Sequence, residues 1–222
     1  MRTAFSGART LTESKHTKFE ARLAPSQRRL QRLPDFTGDR LSRFSQVFLR
    51  HGLPIALLAG LCLLVPEMRA LLAAALTPLF SAPWIYLGTG ALIFAGLLGY
   101  AFYLDRYLDA AAIGWALYLL MVSVWEEWFF RLAVPYFGEA QGLDLRLLVI
   151  AVNLAFGAIH YFTLRWKWPW CFAAFLGGLA LSRNLAQHFD LALIVAIHWA
   201  ATFINTPRLP GRGPGGGRDA RV

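Results

Sequence analysis

The stretch "ALIFAGLLGYAFYL", residues 91–104, runs for fourteen residues without a charged side chain. A helix at the surface of a soluble protein shows a polar face at a period of 3.6 residues, and this stretch has none. Extended back to Pro83, it is long enough to cross a hydrocarbon core of roughly 30 Å. Apolar blocks of the same kind recur at 47–65, 69–82, 110–135, 147–165, 169–183 and 189–205. Hydrophobic residues make up 57% of the 222-residue chain and charged residues only 16%, which excludes an ordinary soluble domain. The expected fold is an all-α polytopic membrane protein in which the lipid bilayer is the solvent.

Seven blocks do not require seven crossings. Block 69–82 is short and lies between Pro66 and Pro83, so it reads as re-entrant or merged with a neighbour. Six crossings then remain, with both termini on one side and seven as the alternative. Residues 1–50 carry eleven Lys and Arg against four acids, and the segment after Thr206 carries four arginines and one aspartate. Under the positive-inside rule both termini are cytoplasmic, with the loops containing Arg106 and "RWKW" (165–168), while "GEAQGLDLR" (138–146) and Asp190 face the other side. The expected location is a bacterial inner (cytoplasmic) membrane. No recognition motif accompanies the basic residues, so no nucleic acid partner is expected, and no secretory signal precedes the first apolar block.

Three regions follow. Residues 1–46 read as a basic, mobile or membrane-surface segment, whose end "LSRFSQVFLRHG" (41–52) places Leu41, Phe44, Val47 and Phe48 on one face of an interfacial helix. Residues 47–205 form the transmembrane helical domain. Residues 206–222, ending "GRGPGGGRDARV", cannot bury a core and read as a disordered tail. Glycines 88, 90, 96, 99, 177 and 178 are expected to allow close helix approach. Cys62 and Cys171 stand singly and read as small apolar residues.

Few ionisable residues lie inside the apolar blocks, and each defaults to a functional reading with a named partner. "EEWFFR" (126–131) supplies Glu126, Glu127 and Arg131. Glu127 and Arg131 are four apart and form an ion pair on one helical face. Glu126 is rotated by about 100° from Glu127 and is left to point into the bundle, as a general base must. "NLAFGAIHYF" (153–162) aligns Asn153, Phe156, Gly157 and His160 on one face, and "AIHWAATFIN" (196–205) carries His198 with Thr202 a turn later. On antiparallel neighbours Glu126 and His160 are offset by about a turn and a half, but side chains tilt toward their helix N-termini and toward each other. One membrane histidine is ordinarily a packed residue, and one Glu–Arg pair serves equally as a clamp. Two glutamates, an arginine and two histidines on three blocks exceed what clamps need.

These motifs resemble the CAAX-protease and bacteriocin-processing (abortive-infection) family of intramembrane peptidases, which carries E-E-x-x-x-R, F-x-x-x-H and H-x-x-x-N on successive membrane helices. "EEWFFR" and "FGAIH" (156–160) match the first two, and "HWAAT" (198–202) matches the third in His198, with Thr202 at the asparagine position. The likeness spans roughly residues 110–205 and includes "GGLALS" (177–182). It implies an active site inside the helical bundle. Glu126 would activate water against a peptide carbonyl, and His160 would position that water or share its proton. Glu127 and Arg131 would hold the site, and His198 would donate to the oxyanion. Asn205 or Asn184 would supplement Thr202, with Asn153 in support. No cofactor is needed in this glutamic mechanism. The metal alternative has Glu126, His160 and His198 as zinc ligands around an open water position.

The expected function is therefore an intramembrane endopeptidase acting on a membrane-associated peptide or protein: a C-terminal sorting signal, a leader peptide or a CAAX-like segment. Two alternatives stay open. One is a non-catalytic scaffold or immunity factor of the same family, toward which Thr202 points. The other is a proton-coupled transporter, which would show inverted repeats that the sequence lacks.

Overall fold

Three aspartates start three of the helices that build the bundle. Asp109, Asp144 and Asp190 each accept a hydrogen bond from the backbone N–H three residues on, at 2.9, 2.9 and 3.0 Å, capping donors that have no partner within the helix. Pro66, Pro83 and Pro169 occupy first-turn positions, where a missing N–H costs nothing. Arg106 and Phe189, with φ of 60° and 49°, end their helices in the left-handed conformation.

The computed structural model describes residues 41 and 43–210, and among these all regular structure is helical. We number the helices α1 (Phe44–Cys62), α2 (Pro66–Ala75), α3 (Thr77–Ser81), α4 (Pro83–Asp105), α5 (Ala110–Ala140), α6 (Leu145–Thr163), α7 (Trp168–His188) and α8 (Leu191–Asn205). Four of them, α1, α4, α5 and α6, are long and apolar enough to cross a membrane, which makes this a membrane protein by length and composition. Helix α8 is apolar but has only 15 residues. Helix α7 has 21 residues, and its second half carries Arg183, Asn184, Gln187 and His188. The short block 69–82 folds as α2 and α3, neither of which reaches spanning length. The basic segment 1–46 and the Gly/Arg-rich tail lie mostly outside the described residues. The described end of the basic segment is helical from Phe44 and continuous with α1, the span it was expected to lead into.

Helix α5 is the axis of the bundle: 44% of its most apolar window is buried, against 11% for α4. Three indole N–H groups fasten it. Trp128 donates to the Ala59 carbonyl of α1 at 3.0 Å, Trp115 to the Thr206 carbonyl at 2.7 Å, and Trp199 of α8 to the Ala116 carbonyl at 2.8 Å. Such bonds are worth more where no water competes. Helix α4 packs on the outside, with Trp84 and Leu92 exposed as lipid-facing residues are. Tyr86 donates to buried Asp190 at one of its ends, and at the other Asp105 accepts from Arg208 Nε at 2.8 and 3.1 Å.

The glycine expectation is corrected at five of six positions. A Cβ at Gly88, Gly90, Gly96, Gly99 or Gly177 would meet nothing within 4 Å, because those residues face outward, and only Gly178 lies under neighbouring side chains. The close α6–α7 approach occurs instead at Gly157, where a Cβ would stand 2.6 Å from the Cys171 carbonyl oxygen. Gly157→Ala is therefore expected to destabilise the fold by about 1–3 kcal/mol, as overpacking does. Gly99→Ala is expected to cost nothing. Thermal unfolding in detergent micelles checks the pair, and equal melting temperatures would contradict the packing described.

Candidate active site

The centre of the bundle holds six ionisable side chains with almost no exposure: His51, Glu126, Glu127, Arg131 and His160 are each at or below 4%, and His198 stands at 8%. They come from α1, α5, α6 and α8. Both α1 and α5 switch to π-helical hydrogen bonding at this level, over Phe48–Gly52 and Glu127–Ala133. Such segments are uncommon and concentrate at functional sites.

Glu126 is surrounded by three imidazoles. Its Oε1 lies 2.8 Å from His51 Nε2 and 3.7 Å from His160 Nε2, and its Oε2 lies 3.6 Å from His198 Nε2. The meeting of Glu126 with His160 and His198 matches the placement inferred from the motifs. His51 was not anticipated. Its place next to Arg50 at the edge of the first block reads as interfacial, yet a signal was present. Val47, His51, Ile55 and Ala59, at spacings of four, form one fully buried stripe of α1. A histidine inside such a stripe faces the bundle.

Each imidazole is oriented by a partner on its other nitrogen, which identifies its tautomer. His160 Nδ1–H donates to the Phe156 carbonyl at 2.7 Å. His198 Nδ1–H donates to Glu127 Oε1 at 2.6 Å. Thr163 gives its hydroxyl proton to the Ile159 carbonyl at 2.7 Å, so at 2.9 Å it accepts from His51 Nδ1–H. All three Nε2 atoms thus face Glu126. At 2.8 Å, His51 Nε2 and Glu126 Oε1 would repel unless a proton lay between them. Oε1 is therefore committed, and Oε2 is the oxygen left for chemistry.

Glu127 has two partners where one was expected. Arg131 Nε lies 3.4 Å from its Oε2, a Coulombic contact without a hydrogen bond, while Oε1 orients His198. The guanidinium sits 3.9 Å from the Phe156 ring centre. That ring also meets His160 and His198 edge-on, at 4.6 and 5.8 Å, so it stands between the arginine and the histidines. Asn153 is buried behind this cluster and donates to the Val149 carbonyl and to Ser182 Oγ at 2.8 and 2.9 Å. Gly178 leaves the space that Asn153 and Arg131 occupy. Asn205 is exposed and spends its amide N–H on the Ala201 carbonyl at 2.8 Å.

Two spaces flank the site. An inner cavity of about 30 Å³, bounded by Glu126, the three histidines, Tyr118 and Thr202, has room for one or two water molecules. A groove of about 390 Å³ between α7 and α8 shares His160, Trp166, His198 and Thr202 with it and runs along Gly177 and Ala201, which are exposed on the outside of the bundle.

The donor set also bears on metal. His51, Glu126 and His160 offer ligand atoms within 4.8 Å of one another, a group that does not include His198. Two ligands on one tetrahedral zinc stand about 3.3 Å apart, given zinc–nitrogen bonds near 2.0–2.1 Å. The His51–Glu126 separation of 2.8 Å is shorter and fits a shared proton. As arranged, the residues do not fit zinc. Searches against protein-family models, curated proteins and solved structures find no match to this chain.

The His51–Glu126 contact makes a prediction independent of activity. His51→Ala is expected to cost about 3–5 kcal/mol, the scale for orphaning a buried charge. Glu126→Ala in the His51→Ala background is expected to cost at least about 1 kcal/mol less than in the wild type. Reversible unfolding in mixed micelles measures the cycle, and strictly additive losses would rule out the pairing.

Proposed function

We propose that the protein is an intramembrane endopeptidase of the glutamic type, with Glu126 as general base. The observation that carries this reading is the placement of Glu126, a buried carboxylate whose Oε1 is taken by His51 and whose Oε2 lies 3.6 Å from His198 Nε2, on the wall of a cavity with room for water. Oε2 takes a proton from that water, and the oxygen attacks a peptide carbonyl presented from the α7–α8 groove. The C–N bond then breaks, and the proton passes to the leaving amine. His160 Nε2 faces the same water and steadies it. His198, held by Glu127, stands where negative charge develops, and Arg131 balances the second carboxylate. Exclusion of bulk water strengthens each of these interactions.

The likeness of "EEWFFR", "FGAIH" and His198 to the CAAX-protease and bacteriocin-processing family supports the same reaction. The substrate we infer is a membrane-associated peptide or protein carrying a C-terminal sorting signal, a leader or a CAAX-like segment. A groove that opens on the outer face of the bundle suits a substrate already in the bilayer. Six crossings, with α7 and α8 completing the set and both termini cytoplasmic in a bacterial inner membrane, agree with the distribution of charge. A second reading rests on the cluster of His51, Glu126 and His160, which could hold zinc with water at the fourth position only if the 2.8 Å His51–Glu126 contact opened. The non-catalytic alternative rests on Thr202 alone.

Quenched-fluorescent peptides with apolar C-terminal segments, in phosphatidylcholine vesicles, test the proposal. Glu126→Gln is expected to lower cleavage at least about 100-fold, the scale of general-base catalysis. Cleavage equal to wild type would end the assignment, and chelator inactivation reversed by zinc would transfer it to the metal reading. The groove makes a separate prediction. At Gly177 a Cβ meets nothing within 4 Å, so Gly177→Trp is expected to fold normally and fill the groove. It should raise KM severalfold or more with little change in kcat, and unchanged KM would mean that substrate approaches elsewhere.

A further inference from the structure

The neutral imidazoles of the site offer no donor, and the hydroxyl of Thr202 is shorter than the amide it replaces. All three histidines commit their Nδ1–H to Thr163, Phe156 and Glu127, so a neutral imidazole presents only a lone pair to the cavity. His198 can donate toward an oxyanion only as a cation. The amide that the resemblance would place at position 202 is a threonine. Hydrolysis through a tetrahedral oxyanion needs a donor aimed at the charge as it forms.

One buried group answers this need. Trp166 follows the end of α6, where Arg165 takes a left-handed φ of 57° and the Trp166 N–H bonds the His160 carbonyl at 3.2 Å. That turn lays its indole 4.5 Å from the His160 ring, between centres. Its Nε1 is buried and has no hydrogen-bond partner among the described residues. The contrast with the other buried indoles is direct, since Trp115, Trp128 and Trp199 each donate to a carbonyl. An indole N–H can only donate, and a buried donor without an acceptor costs free energy. Tyr118 Oη is also without a partner, but it borders the inner cavity alone, whereas Trp166 borders both the cavity and the groove.

We propose that Trp166 is the neutral oxyanion donor of the site, its indole N–H hydrogen-bonding the carbonyl oxygen as that oxygen becomes negative. This role rests on the peptidase reading and adds a catalytic residue to it. The bond is weak to the substrate carbonyl and strong to the oxyanion, so it acts on the transition state. It also explains how a chain with threonine at position 202 dispenses with the amide.

The test compares wild type, Trp166→Phe, Thr202→Asn and the double variant on the vesicle peptides, with Glu126→Gln alongside. Trp166→Phe keeps an aromatic ring against His160 and removes the donor. It is expected to lower kcat by about 10²–10³-fold with KM nearly unchanged, and Thr202→Asn is expected to recover at least tenfold of that loss. A Trp166→Phe enzyme within threefold of wild type overturns the role, as does a loss that Thr202→Asn leaves untouched, because packing alone would then explain it. Binding of a peptidyl phosphinate, whose anion imitates the tetrahedral oxyanion, reads the same donor without turnover. Wild type is expected to bind it at least tenfold more tightly than Trp166→Phe, while an uncleavable N-methylated peptide binds both alike. Equal phosphinate affinity overturns the role. Activity retained by Glu126→Gln defeats the underlying peptidase reading, whereas its loss together with full activity in Trp166→Phe defeats only the indole. A wild type that neither cleaves nor binds the phosphinate defeats both.

Discussion

The structure depends on burying two adjacent carboxylates in an apolar bundle. Glu126 and Glu127 together carry two negative charges where an isolated one is costly. Arg131 supplies one positive charge, and the proton between His51 and Glu126 supplies the second. One proton held between His51 and Glu126 therefore makes the cluster neutral. With no such proton it would be a net anion in a low dielectric, and with two it would be a net cation. The requirement explains why the histidines come from three different helices. Each lies within 4 Å of a glutamate, and no single helix face could supply three such contacts to one side chain.

The same requirement accounts for the tethers around the imidazoles. Thr163, the Phe156 carbonyl and Glu127 each take an Nδ1–H, so the rings cannot rotate to present a donor elsewhere. Two of these tethers, the Phe156 carbonyl and the Thr163 hydroxyl, lie on α6, so the helix that carries His160 also fixes His51. The π-helical turns belong to this arrangement. A wider turn in α1 sets His51, and the wider turn of α5 begins at Glu127 and includes Arg131. Regular α-helical spacing would put Glu127 and Arg131 together. It says nothing about a second contact from Glu127 to α8.

Much of this was legible in the sequence, for physical reasons that can be named. Charged residues in apolar blocks are few, so Glu126, Glu127, Arg131, His160 and His198 stand out without any structure. The all-helical membrane architecture follows from blocks such as 91–104 in the same way. His51 was hidden because Arg50 and a nearby block edge made it look interfacial, although its register with Val47, Ile55 and Ala59 marks the buried face. The glycines were misread because a small residue leaves room both for a neighbouring helix and for lipid, and composition does not distinguish the two. Trp166 is harder still: a tryptophan in "RWKW" reads as an interfacial anchor, and only its burial in the fold separates it from exposed Trp168 and half-buried Trp170.

Identical neighbours in the sequence are thus not equivalent in the fold. Glu127 is wholly buried, with one oxygen on His198 and the other facing Arg131, and it forms no part of the cavity wall. Glu126, one residue earlier, reaches the cavity with one oxygen committed to His51 and the other open. A helical step of about 100° is enough to separate the two. The separation is what makes each tolerable. Glu127 has His198 on one oxygen and the Arg131 charge facing the other, and its bond to His198 holds that ring close to Glu126. Exchanging the two roles would leave the open carboxylate facing Arg131 and Phe156, with neither cavity nor water. The order of groups around the site therefore leaves Glu126, and not Glu127, on the cavity, as the proposed reaction requires.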